Sequence, residues 1–317
     1  MRFCSFSQAG KARFGFELEE GKIVDLLEAA KTLLSTGELS DPGDELFDLQ
    51  DLKSWLSRGR SAIELAKKIR ELLEQNPQGA DRAVCRQDDI RLLPPIPNPG
   101  KIIAIGLNYK DHAQEQKVPL PENPLIFAKF PNSLIGSEDE IKIPSISQKV
   151  DPEAELCVVM LQSGRKFSRE RAREAIAGYT IGNDVSARDL QFSDKQWVRG
   201  KSCDTFAPCG PFLVTEDEIE DPHQLDIEMC VNGKVQQSSN TRNLIFDCYT
   251  LVSYISQAIT METGDLIFTG TPAGVGVFLD PPVFLKAGDV VEVSIEKIGT
   301  LRNPVSDEGE KGGNGGG

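Results

Sequence analysis

The N-terminal quarter of the chain shows short alternating apolar runs followed by helical spacing. Alternation of apolar and polar positions predicts three short strands, at residues 2–7, 12–18 and 23–26. Apolar residues three and four positions apart then predict helices over 44–49 and 61–73. We therefore predict a small α+β domain over residues 1–75.

A proline-rich stretch separates this region from the rest of the chain. Residues 92–100 contain four prolines, and proline fixes φ and removes a backbone donor, so this run cannot continue a helix or a central strand. We predict a linker at 76–100 and a larger domain at 101–305. The last residues, 306–317, are rich in glycine and charge and are predicted to be disordered.

The sequence pattern predicts that the larger domain consists mainly of strands. Apolar runs bounded by turn residues predict them at 101–106, 125–130, 156–161, 178–182, 225–231 and 266–268. One amphipathic pattern, at 246–260, predicts a helix among them. The whole pattern indicates an α+β protein that is mainly β.

Acidic residues stand at the ends of two of these strands. Glu153 and Glu155 precede the 156–161 run, and residues two apart in a strand point to the same face. Two neighbouring carboxylates repel each other, so a divalent cation with oxygen ligands is the simplest partner. Asp184, at the end of the 178–182 run, supplies a third ligand if the two strands are adjacent; alternatively, it caps a turn.

The chain has two histidines, and one of them is spaced to meet a carboxylate. His112 and Glu115 are three residues apart, so on a helix they share a face and form a general acid/base pair. The alternative is an exposed polar helix face. The other histidine, His223, lies in a predicted turn before a strand.

Several cations and polar groups have two readings. Lys129 lies within an apolar strand, so it is either an edge lysine that reaches water or a cation that contacts a carboxylate. Arg188, Gln191 and Lys201 either bind a ligand or are solvated loop residues. The glycine-rich segment 270–276 is either a tight turn or a loop whose amides and Thr271 hydroxyl bind a substrate carboxylate.

Composition and charge exclude several classes of partner. The net charge of −14 and the pI near 4.8 argue against nucleic acid and anionic membranes. The seven cysteines lack paired spacing, which favours reduced thiols in a cytoplasmic compartment. Residues 1–16 are basic and contain no acid, as in a transit peptide, but their phenylalanine spacing favours strands; a mitochondrial matrix location is the alternative. No dinucleotide-binding glycine fingerprint is present, which disfavours a nicotinamide dehydrogenase.

Four motifs in order carry a resemblance to a known family. The chain reads Asn-Tyr-Lys-Asp-His at 108–112, Glu-Ala-Glu at 153–155, Asn-Asp-Val-Ser-Ala-Arg-Asp at 183–189 and Gly-Thr-Pro-Ala-Gly-Val-Gly at 270–276. Over about residues 95–305 the sequence resembles the fumarylacetoacetate hydrolase family. The resemblance implies a mixed β-sandwich roll, a homodimer, and Mg²⁺ or Mn²⁺ held by Glu153, Glu155 and Asp184. It also implies catalysis by His112 and Glu115 on a short lid, with a pocket lined by Lys129, Arg188, Gln191, Lys201 and Thr271.

The implied site suits small anionic 2-oxo acids. A cation that binds the carboxylate and 2-oxo oxygens of such a substrate stabilises the enolate formed at C3. The closest subgroup of the family implies oxaloacetate keto-enol tautomerase, with the proton carried by Lys129 or by the His112 and Glu115 pair. The alternatives are a C–C hydrolase of acylpyruvate- or fumarylacetoacetate-type substrates, a hydroxymuconate-type isomerase, an oxaloacetate decarboxylase and a non-catalytic metal-binding module.

Overall fold

The structure, a computed structural model, describes residues 1–40, 48–76 and 83–309 of the chain. The strands within these ranges are β1 (Arg2–Gln8), β2 (Lys11–Glu19), β3 (Lys22–Asp25), β4 (Val84–Arg86), β5 (Arg91–Leu93), β6 (Ile102–Gly106), β7 (Leu125–Lys129), β8 (Leu134–Ile135), β9 (Ile141–Ile143), β10 (Val150–Asp151), β11 (Ala154–Met160), β12 (Ile176–Asn183), β13 (Ser186–Ala187), β14 (Ala207–Thr215), β15 (Asp226–Val231), β16 (Lys234–Asn240), β17 (Leu266–Phe268), β18 (Val290–Ile295) and β19 (Gly299–Asp307). The helices there are α1 (Leu26–Ser35), α2 (Leu52–Leu56), α3 (Arg60–Gln75), α4 (Lys110–Glu115), α5 (Arg169–Glu174), α6 (Arg188–Asp194), α7 (Val198–Lys201) and α8 (Cys248–Ala258). None of the described helices is long and apolar enough to cross a bilayer.

The strands form two large sheets and one small one. The twelve-stranded sheet follows the order β4, β3, β2, β1, β14, β12, β11, β17, β6, β7, with β5 paired to β1 and β8 to β14. The five-stranded sheet follows β16, β15, β18, β19, β9, and β10 pairs with β13. Most pairs are antiparallel, whereas β17 runs parallel to β6. The prediction of a mainly β, α+β fold is confirmed.

The central strand β11 explains how the layers are stacked. All its residues are buried, so its sequence reads as a continuous apolar run rather than an alternating one. Leu156 and Val158 point into a core shared with the five-stranded sheet and with α8. Cys157 and Val159 point to the opposite face, into a core shared with α1, α2 and α3. The large sheet is therefore covered by a core on each face. The polar residues at the ends of its strands lie beyond these two cores.

The N-terminal strands continue the sheet of the larger region. Phe3 of β1 pairs with Leu213 of β14, and the Met1 amino group donates to Thr215 Oγ1 at 2.7 Å. Hydrogen bonds thus cross from the region predicted as a small domain into the region predicted to begin at residue 101. The division into 1–75, 76–100 and 101–305 stays a prediction, and β5 within the predicted linker pairs with β1.

Most elements predicted from periodicity are present, with shifted ends. The helix predicted at 61–73 is α3, and the helix predicted at 246–260 is the shorter α8. The helix predicted at 44–49 lies largely outside the described residues. The predicted tail, 306–317, begins inside β19, and its residues from 310 onward lie outside the described residues.

His223 is part of the turn before β15 and contacts the start of α8. Its Nε2 accepts a hydrogen bond from Cys248 N at 3.1 Å, and its Nδ1 lies 3.2 Å from Asp221 Oδ1. Burial lowers the pKa of this imidazole, against the attraction of Asp247 and Asp221. The neutral ring is therefore the form that the fold stabilises.

We expect this histidine to make stability depend on pH. Because its pKa is lower in the folded state, its contribution is complete above the unfolded pKa of about 6.5 and is lost as the pH falls through the folded pKa. His223→Gln keeps an acceptor for Cys248 N and removes the titration. Urea unfolding of both proteins between about pH 5 and pH 7.5 should show a weaker pH dependence in the variant. Identical pH profiles would contradict this assignment.

Candidate active site

The three predicted carboxylate ligands meet where β11 and β12 end. Glu155 is in β11, Glu153 directly precedes that strand, and Asp184 directly follows β12. The strands are antiparallel neighbours, with Ala154 paired to Asn183, which brings their ends together. One oxygen from each carboxylate lies within 4.8 Å of the others, and all three residues are buried. The predicted juxtaposition of these strands is thus confirmed.

Two buried lysines contact different oxygens of this carboxylate cluster. Lys201 Nζ, at the end of α7, donates to Glu153 Oε2 and to Asp184 Oδ2, each at 2.7 Å. Lys129 Nζ donates to Asp184 Oδ1 at 2.6 Å and to the carbonyl oxygens of Val185 and Lys201. Burial lowers the pKa of the Lys129 ammonium despite the attraction of Asp184. Burial acts in the same direction on Lys201, but Asp184 and Glu153 outweigh it and raise its pKa.

Arg188 connects the cluster to a further carboxylate. At the start of α6, its Nε donates to Asp151 Oδ2 at 2.8 Å, its Nη2 to Glu153 Oε1 at 2.5 Å and its Nη1 to Gln191 Oε1 at 2.9 Å. Burial opposes ionisation of Glu153, but Lys201 and Arg188 prevail and hold the pKa of its carboxyl well below the usual range. Glu153 is therefore an anion with both of its oxygens paired.

Glu155 differs from its two neighbours. Its Oε2 accepts a hydrogen bond from Gly270 N at 2.7 Å, whereas lysine ammonium groups contact Glu153 and Asp184. Burial raises the pKa of the Glu155 carboxyl well above its usual range, and the nearby Asp184 and Glu153 carboxylates raise it further. A site with one uncompensated buried carboxyl among anionic oxygens fits a hard divalent cation.

His112 and Glu115 form the predicted pair on α4. His112 Nδ1 lies 2.9 Å from Glu115 Oε2, and Gln116 Nε2 lies 2.7 Å from His112 Nε2. A carboxylate only accepts and the Gln116 amide nitrogen only donates, so both bonds form when Nδ1 carries the proton and Nε2 is an acceptor. The pair is thus arranged as an oriented, neutral imidazole.

The loop after β17 holds three of the protein's own carboxylates. Its backbone N–H groups donate from Gly270 to Glu155 at 2.7 Å, from Gly274 to Glu115 at 2.9 Å and from Gly276 to Asp151 at 2.9 Å. These three amides are therefore engaged by the protein's own carboxylates, and binding of a substrate carboxylate by this loop stays a prediction. At Gly274, φ is +98° and an added Cβ would lie 2.2 Å from Gln236 O, so only glycine fits there.

Comparison with known proteins gives matches along most of the chain. Residues 101–306 match the fumarylacetoacetate (FAA) hydrolase C-terminal domain. The chain belongs to the fumarylacetoacetate hydrolase family. It is 44% identical over 310 residues to the oxaloacetate tautomerase fahd2, mitochondrial, of Xenopus laevis, covering 96% of this chain and 90% of that protein.

Solved structures of this family share the fold. The fumarylacetoacetate hydrolase of Exiguobacterium antarcticum superposes with a TM-score of 0.79 and 36% identity, over 97% of this chain and 99% of the other. The 5-carboxymethyl-2-hydroxymuconate delta-isomerase of Mycobacterium smegmatis gives 0.73 and 32% identity, over 98% and 100%. The predicted roll fold and the prediction of an enzyme of the tautomerase and isomerase class are confirmed.

A cavity of about 250 Å³ opens beside the carboxylate cluster and is lined in part by Glu153. Its polar lining consists of His112, Gln116, Glu153, Arg188, Gln191, Lys201 and Thr271. Lys129, which is 2% exposed, is absent from the residues lining this cavity and donates to Asp184. A larger cavity of about 660 Å³, formed by parts of 231–236 and 279–286 with neighbouring residues, has none of the predicted site residues among its described lining.

Three residues with roles at this site were missed by sequence reasoning. Asp151 is fully buried and accepts from Arg188, Gly276 and Val277. The sequence feature that could have indicated Asp151 is its position two residues before Glu153. Gln116 follows His112 by four positions, the spacing of a helical neighbour. Gln237 donates to Thr271 Oγ1 at 2.8 Å and lies in β16, where no local pattern marks it.

Proposed function

We propose that this protein is a Mg²⁺- or Mn²⁺-dependent oxaloacetate keto-enol tautomerase. The observation that carries the proposal is the buried Glu155 carboxyl, which is uncompensated in a cluster with Glu153 and Asp184. Glu153 of this cluster lines the same cavity as the oriented His112. The name of the Xenopus laevis relative, similar along nearly the whole chain, supports the choice of reaction.

The carboxylates of Glu153, Glu155 and Asp184 would hold the cation. When bound there, it supplies Lewis acidity to the 2-oxo group of the substrate. The protein itself binds the anionic substrate with cations that line the cavity, Arg188 and Lys201, which are both kept charged by their buried partners. Gln191 and Thr271, which also line the cavity, orient the substrate by hydrogen bonds.

Proton transfer is assigned to His112. Glu115 accepts from Nδ1 of His112, a residue that lines the cavity, and leaves Nε2 as the base that exchanges a proton with C3 or O2 of the substrate. Gln116 occupies this nitrogen at 2.7 Å and must yield to the substrate. The prediction that Lys129 carries the proton stays a prediction; its three acceptors, equal to the donors of an ammonium group, favour a role in holding Asp184.

One observation favours a second candidate. The similarity to the Mycobacterium smegmatis isomerase, together with the apolar part of the cavity, supports isomerisation of a hydroxymuconate-type diacid at the same residues. Such a reaction also moves a proton next to a 2-oxo group. The two candidates therefore share a mechanism and differ in the substrate that fits.

The test follows the decay of enol-oxaloacetate with and without the protein, in Mg²⁺ or Mn²⁺ and then in EDTA, while pyruvate is measured. We expect metal-dependent acceleration without pyruvate, and a loss of about 100-fold in His112→Ala because general acid–base catalysis contributes about that much or more. Release of pyruvate would identify a decarboxylase instead. No acceleration would favour the isomerase and shift the assay to hydroxymuconate-type diacids.

The proposal also covers the oligomeric state and the location of the protein. We take the protein to be a cytoplasmic homodimer, although the Xenopus laevis relative is named as mitochondrial. Light scattering coupled to gel filtration measures the oligomeric state, and fractionation of cells that express the full chain measures the location. A monomeric mass would contradict the homodimer. Recovery in the mitochondrial matrix would contradict the cytoplasmic location.

A further inference from the structure

The mouth of the active-site cavity is unusually apolar. Four side chains that line it are large, hydrophobic and exposed, with 39% of Val118, 47% of Leu125, 59% of Phe192 and 40% of Phe278 accessible. Large exposed apolar side chains gathered around one opening mark a binding surface rather than a random surface distribution. The surface is continuous with the catalytic groups because these residues line the same cavity as His112.

Aromatic rings extend this surface to the reacting groups. Phe127 and Trp197 pack edge to face with centroids 5.3 Å apart, and Phe278 packs against the His112 ring at 5.7 Å. Lys201 Nζ lies 5.3 Å from the Phe127 centroid. An apolar group attached next to a 2-oxo acid head would therefore meet rings on more than one side.

The charged groups are concentrated at the other end. Arg188 and Lys201, the cations that line the cavity, are directed at Asp151, Glu153 and Asp184. They can receive the carboxylate and 2-oxo oxygens of a substrate, the C4 carboxylate of oxaloacetate included, whereas a charged group that extended further, into the apolar part, would lose its hydration without gaining a cation. An aromatic ring in that place loses water favourably and packs against the rings already present.

We propose that the enzyme also binds arylpyruvates, 2-oxo acids with an aromatic ring on C3, and interconverts their keto and enol forms. The inference rests on the proposed function, because it uses the same proton transfer. From enol to keto, the O2–H bond breaks and its electron pair forms the C2=O bond, while the C2=C3 π pair takes a proton to form the C3–H bond. His112 accepts and returns the proton, so no other reactant is consumed.

Gly106 sets the space available for the ring. It lies at the end of β6, and a Cβ added there would come within 2.5 Å of Trp197 Cζ3 and 3.2 Å of Leu125 Cδ2. Gly106→Ala therefore forces Trp197 to move from its place in the cavity wall. Trp197→Ala has the opposite effect, because it removes the indole ring from the wall and enlarges the cavity. Both changes act on the apolar part and leave the charged groups in place.

The experiment compares enol-phenylpyruvate with enol-oxaloacetate in Mg²⁺. We expect acceleration of both in the wild type, and a fall of about tenfold or more in the ratio of kcat/KM for phenylpyruvate to that for oxaloacetate in Gly106→Ala and in Trp197→Ala. Tyr254→Ala is the matched control, since Tyr254 is an aromatic residue that is 40% exposed but does not line the cavity, and it should leave the ratio unchanged.

A binding measurement gives a readout independent of turnover. The chain has two tryptophans, and Trp55 is fully buried in the N-terminal core, so quenching of fluorescence by phenylpyruvate should report on Trp197. We expect saturable quenching in the wild type and its loss in Trp197→Phe.

The possible outcomes separate this inference from the proposed function. Turnover of oxaloacetate with neither binding nor turnover of phenylpyruvate overturns the inference alone. Failure of both substrates overturns the proposed function and the inference with it. Turnover of phenylpyruvate with an unchanged ratio in both wall variants overturns the placement of the ring against Trp197.

Discussion

Glu155→Gln is expected to lower the affinity of the protein for Mg²⁺ about 100-fold or more while stabilising the metal-free fold. Loss of a residue that merely supports a ligand already costs 10- to 100-fold in metal affinity, so loss of a ligand should cost at least as much. The amide keeps an acceptor for Gly270 N and removes the charge that burial and the nearby Asp184 and Glu153 carboxylates disfavour. Tautomerase activity should fall with the affinity.

The stability gain has a defined pH dependence. A carboxyl whose pKa is raised in the folded state contributes stability below its unfolded pKa of about 4.3 and loses it as the pH rises. The advantage of Glu155→Gln in unfolding free energy should thus be largest at neutral pH and disappear in acid. In the wild type, Mg²⁺ should raise the unfolding temperature, since it binds the folded state, and in the variant it should not.

Calorimetric titration with Mg²⁺ measures the affinity, and urea unfolding measures the stability. Asp265→Asn is the matched control, because Asp265 is also buried and has a raised pKa but lies outside the carboxylate cluster. It should bind Mg²⁺ as the wild type does. Affinity within about threefold of the wild type in Glu155→Gln would remove this residue from the ligand set, since a lost ligand costs far more.

Lys129→Met is expected to destabilise the protein by about 3 kcal/mol, because removal of one partner of a buried ion pair leaves the other uncompensated. Methionine has a similar length and no charge. It would leave Asp184 Oδ1 without the ammonium at 2.6 Å and would leave two buried carbonyl oxygens, those of Val185 and Lys201, without this donor. Asp184 keeps its contact with Lys201 at 2.7 Å, which limits the loss.

The matched control is Lys67→Met. Lys67 also contacts two carboxylates, Glu64 at 2.9 Å and Asp217 at 2.7 Å, but these partners are exposed. Surface pairs contribute about 1 kcal/mol or less, so this variant should unfold at nearly the same urea concentration as the wild type. Equal losses in the two variants would show that Lys129 does not hold Asp184 in the way the contacts indicate.

Local periodicity was sufficient for most elements of this fold. Alternation and apolar runs predicted β6, β7 and α3, because each depends on which face of a single element is buried. The carboxylate cluster was also predictable, since Glu153 and Glu155 are neighbours in sequence and Asp184 needed only the adjacency of two consecutive strands. Hairpin-like neighbours of this kind are the commonest strand arrangement.

Roles that depend on distant residues were not predictable in this way. The amides of the loop after β17 bind Glu155, Glu115 and Asp151, which are more than a hundred residues away in sequence. The pairing of β1 with β14 likewise joins positions that are far apart in sequence, such as Phe3 and Leu213. No periodicity within one segment records such contacts.

The sequence by itself indicated the types of element and marked the carboxylate cluster and the histidine pair as candidates, since each depends on spacing along one or two adjacent segments. Only the tertiary structure decided which lysine lines the cavity, because Lys129 and Lys201 both contact Asp184, at different oxygens, and only Lys201 is also among the cavity residues. Only the tertiary structure also brought together the aromatic rings that line the cavity, which come from β7, α6, Trp197 and the loop after β17. The physical reason is that a buried charge or ring acquires its role from the groups that surround it, and chain folding brings those groups together from distant segments.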